Sequence, residues 1–181
     1  MTSLPFHLTA DPTPRPAFNL ASGAKAQRAG KSLEEMVEFS AGCQRDVVTL
    51  EHLPRMGAIM LAGRKPIIQR ICVDEIGVLA GGRGLFFDCK SCGKATKGFD
   101  ANQWHKERPH QAKFLRAMAK AGAVAGLLVR SEERGLFLFG EIGGLDVLET
   151  VRFARDGQIC KEWVSLGPTS GLIDFKVLRN L

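Results

Sequence analysis

A glycine-rich turn between two apolar runs constrains this chain more than any other stretch. The segment from Cys72 to Lys90 reads C-V-D-E-I-G-V-L-A-G-G-R-G-L-F-F-D-C-K, and apolar runs at 76–79 and 85–87 flank its glycines. Glycine supplies the positive backbone φ angles that a tight hairpin turn requires. The pattern therefore predicts a β-hairpin.

The register of this hairpin places three ionisable side chains near one another. Because side chains alternate across a strand, Asp88 and Lys90 share one face while Cys89 points to the other. With the turn centred on Gly81 or Gly82, Asp74 falls roughly opposite them on the neighbouring strand. Two carboxylates in such a place need a partner, since buried charges are costly and like charges raise each other's pKa.

A divalent cation would meet that need. Oxygen ligands from paired carboxylates suit Mg²⁺ or Mn²⁺, which keep several waters and accept phosphate oxygens. Lys90 would then steady an attacking water or the charge that develops on a phosphate. The alternative is an ordinary hairpin with a surface aspartate and a salt-bridged lysine, because a D-x-K motif alone is weak.

Length and composition narrow the class of protein. A chain of 181 residues, 45% hydrophobic and 24% charged, is typical of a single globular domain. No apolar run approaches the roughly 20 residues of a membrane span, and the N-terminus lacks the pattern of a secretory signal. We therefore expect a cytoplasmic protein without a membrane partner. The net charge of +6 favours a polyanionic partner.

Cysteine usage argues against disulfides and zinc. The chain has five cysteines at irregular spacing, namely Cys43, Cys72, Cys89, Cys92 and Cys160, and an odd number does not indicate a disulfide framework. The pair Cys89-x-x-Cys92 has the spacing of zinc ligands, but no second pair completes four ligands.

The chain divides into an arm and a domain. Residues 1–28 carry four prolines followed by small and basic residues, which predicts a flexible basic arm. The arm either helps to hold nucleic acid or is a terminus without a role. Arg28, at its end, and Lys31, just after it, are candidate DNA contacts. Residues 29–181 form the domain, with a core at about 29–140 and a C-terminal extension at 141–181.

Periodicity predicts the elements of this domain. Ser32 and Glu35 form an S-x-x-E capping box, which predicts a helix to about Gln44. A second helix begins at Pro109. The remaining predicted elements are strands at 47–50, 58–61, 123–130, 135–139 and 163–166, a helix at 145–153 and a closing element at 172–178. The order favours an α/β fold with a mixed central sheet flanked by helices.

Basic residues lie on either side of the hairpin in the sequence. Arg64, Lys65 and Arg70 belong to a predicted basic loop, and Lys94 and Lys97 belong to a polar run that follows Lys90. These side chains would contact phosphates or simply solubilise the loops. Phe99 and Trp104, interleaved with the second set, would stack on a base or pack onto the domain.

The order of these motifs resembles the PD-(D/E)XK nuclease superfamily and, more narrowly, the RecU-type Holliday-junction resolvases. The similar blocks are R-A-G-K-S-L-E-E-M at 28–36, V-D-E-I-G-V-L at 73–79, F-F-D-C-K-S at 86–91, H-Q-A-K-F-L at 110–115 and G-L-L-V-R at 126–130. These ordered blocks, taken together over roughly 28–139, are more specific than D-x-K alone.

The resemblance implies a restriction-endonuclease-like fold and a role for each matching residue. Asp74 and Asp88 would bind Mg²⁺ together with the main-chain carbonyl of Cys89, and Glu34 would bind it directly or through water. Lys90 would be the catalytic lysine, and Gln111 would organise the site. The implied activity is Mg²⁺-dependent cleavage of four-way DNA junctions by a homodimer, in recombination and repair.

Three departures from the family leave alternatives open. Asp88 replaces the usual glutamate, the loop at 63–70 is much shorter than the family's stalk, and the segment after Gly140 matches nothing in it. The rivals are a nuclease of the same superfamily that cuts flaps, mismatches or plain duplex, and a DNA-binding module that does not cut. Retention of both aspartates beside a lysine favours an enzyme.

Overall fold

The computed structural model describes residues 33–53, 58–59, 67–68, 72–95, 97–146 and 150–181. Its elements in chain order are helix α1 (Leu33–Gly42); strands β1 (Val47–His52), β2 (Ala58–Ile59), β3 (Ile67–Ile68), β4 (Glu75–Leu79), β5 (Gly84–Cys92) and β6 (Gly98–Phe99); helices α2 (Ala101–Glu107) and α3 (Pro109–Lys120); strands β7 (Val124–Ser131) and β8 (Leu136–Glu141); helix α4 (Ile142–Leu145); strands β9 (Val151–Arg152), β10 (Ala154–Arg155), β11 (Gln158–Ile159) and β12 (Val164–Pro168); and a 3₁₀ helix (Phe175–Asn180).

A six-stranded mixed sheet forms the centre of the fold. Its strand order is β1-β4-β5-β7-β8-β12, and β5 and β7 run parallel while the other neighbours are antiparallel. Helices cover both faces, so the predicted α/β class with a mixed sheet is confirmed. Among the described residues, no helix is long and apolar enough to cross a membrane.

The predicted hairpin is present as β4 and β5. Gly77 pairs with Leu85, and the Leu79 amide donates to the Arg83 carbonyl at 2.9 Å. Gly81 and Gly82 have φ angles of 104° and 85°, a conformation that side chains with a Cβ disfavour. The glycines are therefore what allows the chain to reverse here.

The two faces of the sheet have separate apolar cores. On the face covered by α1 and the 3₁₀ helix, called the α1 face, Phe87 and Cys89 are buried and the Phe87 ring lies 6.3 Å from Phe175. On the opposite α3 face, Phe86 contacts Phe114 of α3 edge-on at 5.8 Å. Alternation along β5 therefore places Asp88 on the α3 face.

Helix α3 begins at Pro109 as predicted and is held at both sides. Ala112 and Leu115 are buried against the sheet. Arg116 donates two hydrogen bonds to the Asp146 carboxylate, at 2.6 and 2.8 Å. These contacts fix the helix that carries Gln111.

The structure differs from the sequence predictions in three places, and the helix predicted at 145–153 is wrong. The polar run after Lys90 contains helix α2, which Asp100 caps by accepting from the Gln103 amide at 2.8 Å. The predicted helix at 145–153 contains strand β9, which pairs with β6 and buries Val151. Close approach of these strands requires Gly98, because a Cβ there would lie 2.6 Å from the Val151 carbonyl oxygen. Part of the predicted basic loop, Ile67–Ile68, is a strand paired with β2.

The C-terminal residues complete the sheet and one core. Strand β12 pairs with β8, and Phe175 and Leu178 are buried on the α1 face. The side chain of Gln44 accepts from the Phe175 amide at 3.0 Å, and Ser40 Oγ accepts from the Ile173 amide at 3.1 Å. The end of the chain is thereby tied to α1.

Candidate active site

The candidate site lies where β4 and β5 part. Pairing between them ends at Glu75 and Phe87, whereas β5 continues beside β7 as far as Cys92. Asp74 comes immediately before β4. The part of β5 that contains Asp88 therefore has β7 on one side and Asp74 on the other.

Beyond the end of the β4–β5 pairing, the Asp74 side chain bonds the main chain of β5 in place of a neighbouring strand. Its Oδ2 accepts a hydrogen bond from the Cys89 amide at 2.8 Å, and its own carbonyl accepts from the Leu53 amide at 2.8 Å. The amide and carbonyl of one strand residue point to the same side, so the Cys89 carbonyl also faces away from β7. A carboxylate and a main-chain carbonyl therefore line the gap, and both belong to the ligand set that the family resemblance implies.

Asp88 is held by two polar side chains on the α3 face. It is fully buried, and its Oδ1 accepts from Gln111 Nε2 at 3.0 Å. Its Oδ2 forms an ion pair with Lys90 Nζ, whose side chain is 30% exposed. The structure thus brings Asp88, Lys90 and Gln111 together, and Lys90 retains access to solvent.

Asp74 lies close enough to Asp88 to affect its ionisation. Burial raises the pKa of Asp88 to about 6; a hydrogen bond to Asp74 that requires the protonated acid, and the charge of Asp74, act in the same direction, while Lys90 opposes them. Carboxyl groups that share a site in this way gain from a cation between them.

A second buried acid, Glu75, lies on the opposite face of the sheet. It is fully buried, and a hydrogen bond of 2.8 Å joins its Oε1 to Nδ1 of His52. Among the described residues, its Oε2 has no hydrogen-bond partner. Burial raises the pKa of Glu75 to about 7, which the His52 contact opposes. The signal for Glu75 in the sequence is an acid at a core-facing position of an otherwise apolar strand.

Cys89 contributes its main chain to this site. Its thiol is buried on the α1 face, where burial and the charges of Glu75, Asp74 and Glu34 raise its pKa well above the usual value. Cys92, three residues further along β5, points to the other face. The two thiols of the C-x-x-C motif therefore cannot share a metal ion from one strand.

The donor set fits a hard divalent cation. Asp74, Asp88 and the Cys89 carbonyl supply oxygen atoms, and the buried Gln111 Oε1 has no partner within the described part of the chain. Mg²⁺ and Mn²⁺ prefer such ligands and complete their shells with water. Across the described ranges, no three His, Cys, Asp or Glu side chains meet closely enough to hold a metal ion. Binding by Glu34, directly or through water, stays a prediction.

Basic side chains extend from the end of β5. Lys94 and Lys97 are exposed, and Arg152, also exposed, lies opposite Gly98 in the β6–β9 pair. None of these three cations forms an ion pair with another described residue. The other predicted DNA contacts lie outside the described residues, namely Arg28, Lys31, Arg64, Lys65 and Arg70.

The aromatic residues near this basic surface belong to the core. Phe99 and Trp104 are 9% and 5% exposed, and their ring centroids lie 6.3 Å apart. Of the two roles considered for them, packing onto the domain is the one that the structure shows.

Comparison of the sequence with protein-family models and with curated proteins gives no match. Inference of function therefore depends on the side chains of this site and their contacts.

Proposed function

We propose that the chain is a metal-dependent DNA endonuclease of the PD-(D/E)XK type. The observation that carries this proposal is the arrangement at the parting of β4 and β5, where Asp74 accepts from the Cys89 amide and Asp88 contacts Lys90 and Gln111. Mg²⁺ is the proposed cofactor, and Mn²⁺ would substitute for it.

The order of elements supports a restriction-endonuclease-like fold as part of the proposal. The antiparallel hairpin β4–β5 leads through α3 to β7, which is parallel to β5. The three acidic and basic residues of the motif lie at one end of this unit. Helix α1 lies across the other face of the same strands and brings Glu34 near enough for its charge to act on Cys89.

The proposed chemistry is hydrolysis of a phosphodiester. Bound Mg²⁺ would polarise the scissile phosphate and lower the pKa of a coordinated water. The Cys89 amide and Gln111 each fix one oxygen of a carboxylate, so both acids are oriented before substrate arrives. Lys90 is exposed enough to move from Asp88 to the phosphate and stabilise the charge that develops there.

DNA would be held along the surface that follows β5. A strand rises about 3.3 Å per residue, so Lys94 lies at most about 13 Å beyond Lys90. Lys94, Lys97 and Arg152 would contact the backbone phosphates without reading sequence. We propose four-way junctions as the substrate and a homodimer as the active form, because the order of the sequence blocks resembles that of junction resolvases.

The burial of Asp88 argues against a module that only binds DNA. A carboxyl group whose pKa is raised to about 6 destabilises the folded protein at neutral pH. An asparagine would avoid that cost and keep the contact with Gln111. Retention of the acid is expected where its charge is needed for metal binding.

A cleavage assay tests the proposal. A labelled four-way junction, a flap and a linear duplex built from the same strands are incubated with wild type, with Mg²⁺ or with a chelator. We expect paired nicks on the junction, which require Mg²⁺ and are lost in Asp74→Ala. Asp156→Asn is the matched control, because Asp156 is exposed in a turn at φ 51°, where asparagine is well tolerated.

Each outcome decides one part of the proposal. Equal, metal-dependent cutting of all three substrates would keep the endonuclease and remove the junction preference. Binding of DNA without any cutting would leave only the DNA-binding module. Cleavage by Asp74→Ala at the wild-type rate would show that the site is assigned wrongly.

A further inference from the structure

His52 and Glu75 form a pair that the proposed chemistry does not use, and in it Glu75 is buried while His52 is half-buried. Glu75 is fully buried on the α1 face, and its Oε1 lies 2.8 Å from His52 Nδ1. Its second oxygen has no hydrogen-bond partner among the described residues. Burying a carboxyl group with half of its hydrogen bonds unmade is unfavourable, and an apolar side chain at this position would avoid that penalty.

The position of the pair links it to Asp74. His52 and Glu75 are direct Cα partners at the last residue of β1 and the first residue of β4. The next residue along the chain, Leu53, donates its amide to the Asp74 carbonyl at 2.8 Å. At the end of β1, His52 therefore contacts Glu75 through its side chain, and Leu53 contacts Asp74 through its main chain.

Asp74 and Glu75 are neighbours in the chain whose side chains lie on opposite faces of the sheet. Alternation places Glu75 on the α1 face and the preceding Asp74 on the side of Asp88. Asp74 in turn accepts from the Cys89 amide. Because β1 is an end strand of the central sheet, its end is held to the site through these contacts with β4.

We propose that His52 and Glu75 are positioning residues that keep the Asp74 carboxylate on the Cys89 amide. Their contact holds the end of β1 against the start of β4, which preserves the Leu53 to Asp74 hydrogen bond and with it the direction of the Asp74 side chain. An effect of this pair on metal-dependent cleavage rests on the proposed endonuclease function, whereas an effect on the Cys89 amide hydrogen bond does not.

Amide hydrogen exchange, followed by NMR on the full chain without DNA or metal, tests the proposal. In His52→Ala we expect the Leu53 and Cys89 amides to exchange about tenfold faster, because one half-buried hydrogen bond is lost locally. His52→Asn, whose side-chain amide can still bond Glu75, should restore protection. The Leu128 amide, in the neighbouring strand β7, reports global opening.

Two further variants keep the test decisive. His52→Phe retains a ring of similar size without the polar contact, so it replaces His52→Ala if that variant does not fold, with the same expected loss. Arg179→Ala is the matched control, because it removes a 2.8 Å ion pair with Asp46 at the other end of β1. That variant should leave Leu53 and Cys89 at wild-type exchange rates.

The results separate this proposal from the proposed function. Unchanged exchange at Cys89 in a folded His52→Ala protein would overturn it, as would an equal acceleration at Leu128, which would mean a general loss of stability. In the cleavage assay, the proposal would be supported if His52→Ala raises the half-saturating Mg²⁺ concentration and His52→Asn returns it to the wild-type value. If wild type cuts no DNA while Cys89 still responds to His52, the endonuclease is refuted and the positioning role is supported.

Discussion

Replacing Asp88 with asparagine should abolish cleavage and stabilise the protein at neutral pH. Asparagine keeps the shape of the side chain and the oxygen that accepts from Gln111 Nε2. It removes the charge that burial and Asp74 disfavour. A group that is essential for activity yet harmful to stability is what a preorganised site requires.

The size of the effect follows from the pKa of Asp88. Burial raises it from 3.8 to about 6, and each unit of pKa corresponds to about 1.36 kcal/mol, so ionised Asp88 costs about 3 kcal/mol of folding free energy. The attraction of Lys90 is already contained in that pKa. For a chain of this length, the melting temperature of Asp88→Asn should exceed that of wild type by about 6–12 °C at about pH 8.

The pH dependence gives the sign of the effect. Below about pH 3.8 the acid is protonated in both the folded and the unfolded chain, so wild type and Asp88→Asn should be equally stable. As the pH rises to about 6, the unfolded chain ionises Asp88 while the folded protein does not, and wild type loses stability relative to the variant. Above about pH 6 the difference should be constant.

Urea denaturation of both proteins across this range measures the difference. Asp156→Asn makes the same chemical change at an exposed turn and should show no such pH-dependent gain. The reasoning would be refuted by an Asp88→Asn variant that is less stable than wild type above pH 6, or by a gain of equal size at every pH.

Three further variants probe the other parts of the site. Lys90→Ala should stop cleavage while DNA binding persists, and a carbon-13 NMR titration should show a further rise in the pKa of Asp88, since Lys90 lowers it. Gln111→Leu leaves one Asp88 oxygen without its donor, so we expect about tenfold slower turnover at unchanged DNA affinity in steady-state kinetics. The double variant Lys97→Ala/Arg152→Ala should weaken DNA binding and reduce the salt slope by about 2 in a titration of affinity against salt.

Controls make these results interpretable. Lys176, exposed on the 3₁₀ helix, lies on the α1 face, so Lys176→Ala should change DNA affinity little. An equal loss in that variant would attribute binding to net charge. Cleavage by Lys90→Ala at the wild-type rate would contradict its role, and full turnover by Gln111→Leu would mean that Asp88 needs no orientation by α3.

The parts of the site that could be predicted from sequence depend on local rules. Two glycines with positive φ determine where the chain turns, and strand alternation then determines that Asp88 and Lys90 share a face. The register of β4 and β5 follows from the short turn, so the position of Asp74 is local as well. Pro109 marks the start of α3, which brings Gln111 to the sheet.

The parts that could not be predicted depend on contacts between distant segments. Strand β9 forms only because β6 lies beside it, and nothing in the sequence around Val151 specifies that neighbour. The partnership of His52 and Glu75 requires the register between β1 and β4, which are separated by a long connection. The strand predicted at 163–166 is present as β12, but its place beside β8 depends on a contact between distant segments.

The most direct test of the central claim is the location of bound Mn²⁺ by anomalous diffraction from crystals grown without DNA. We expect a peak within about 2.0–2.3 Å of oxygens from Asp74, Asp88 and the Cys89 carbonyl, the range of such metal-to-oxygen bonds. The peak should be absent in Asp74→Ala. A peak on the α1 face beside Glu38 or Glu75 and away from Asp74 and Asp88, or none in the wild-type protein at saturating Mn²⁺, would contradict a metal-dependent site between Asp74 and Asp88.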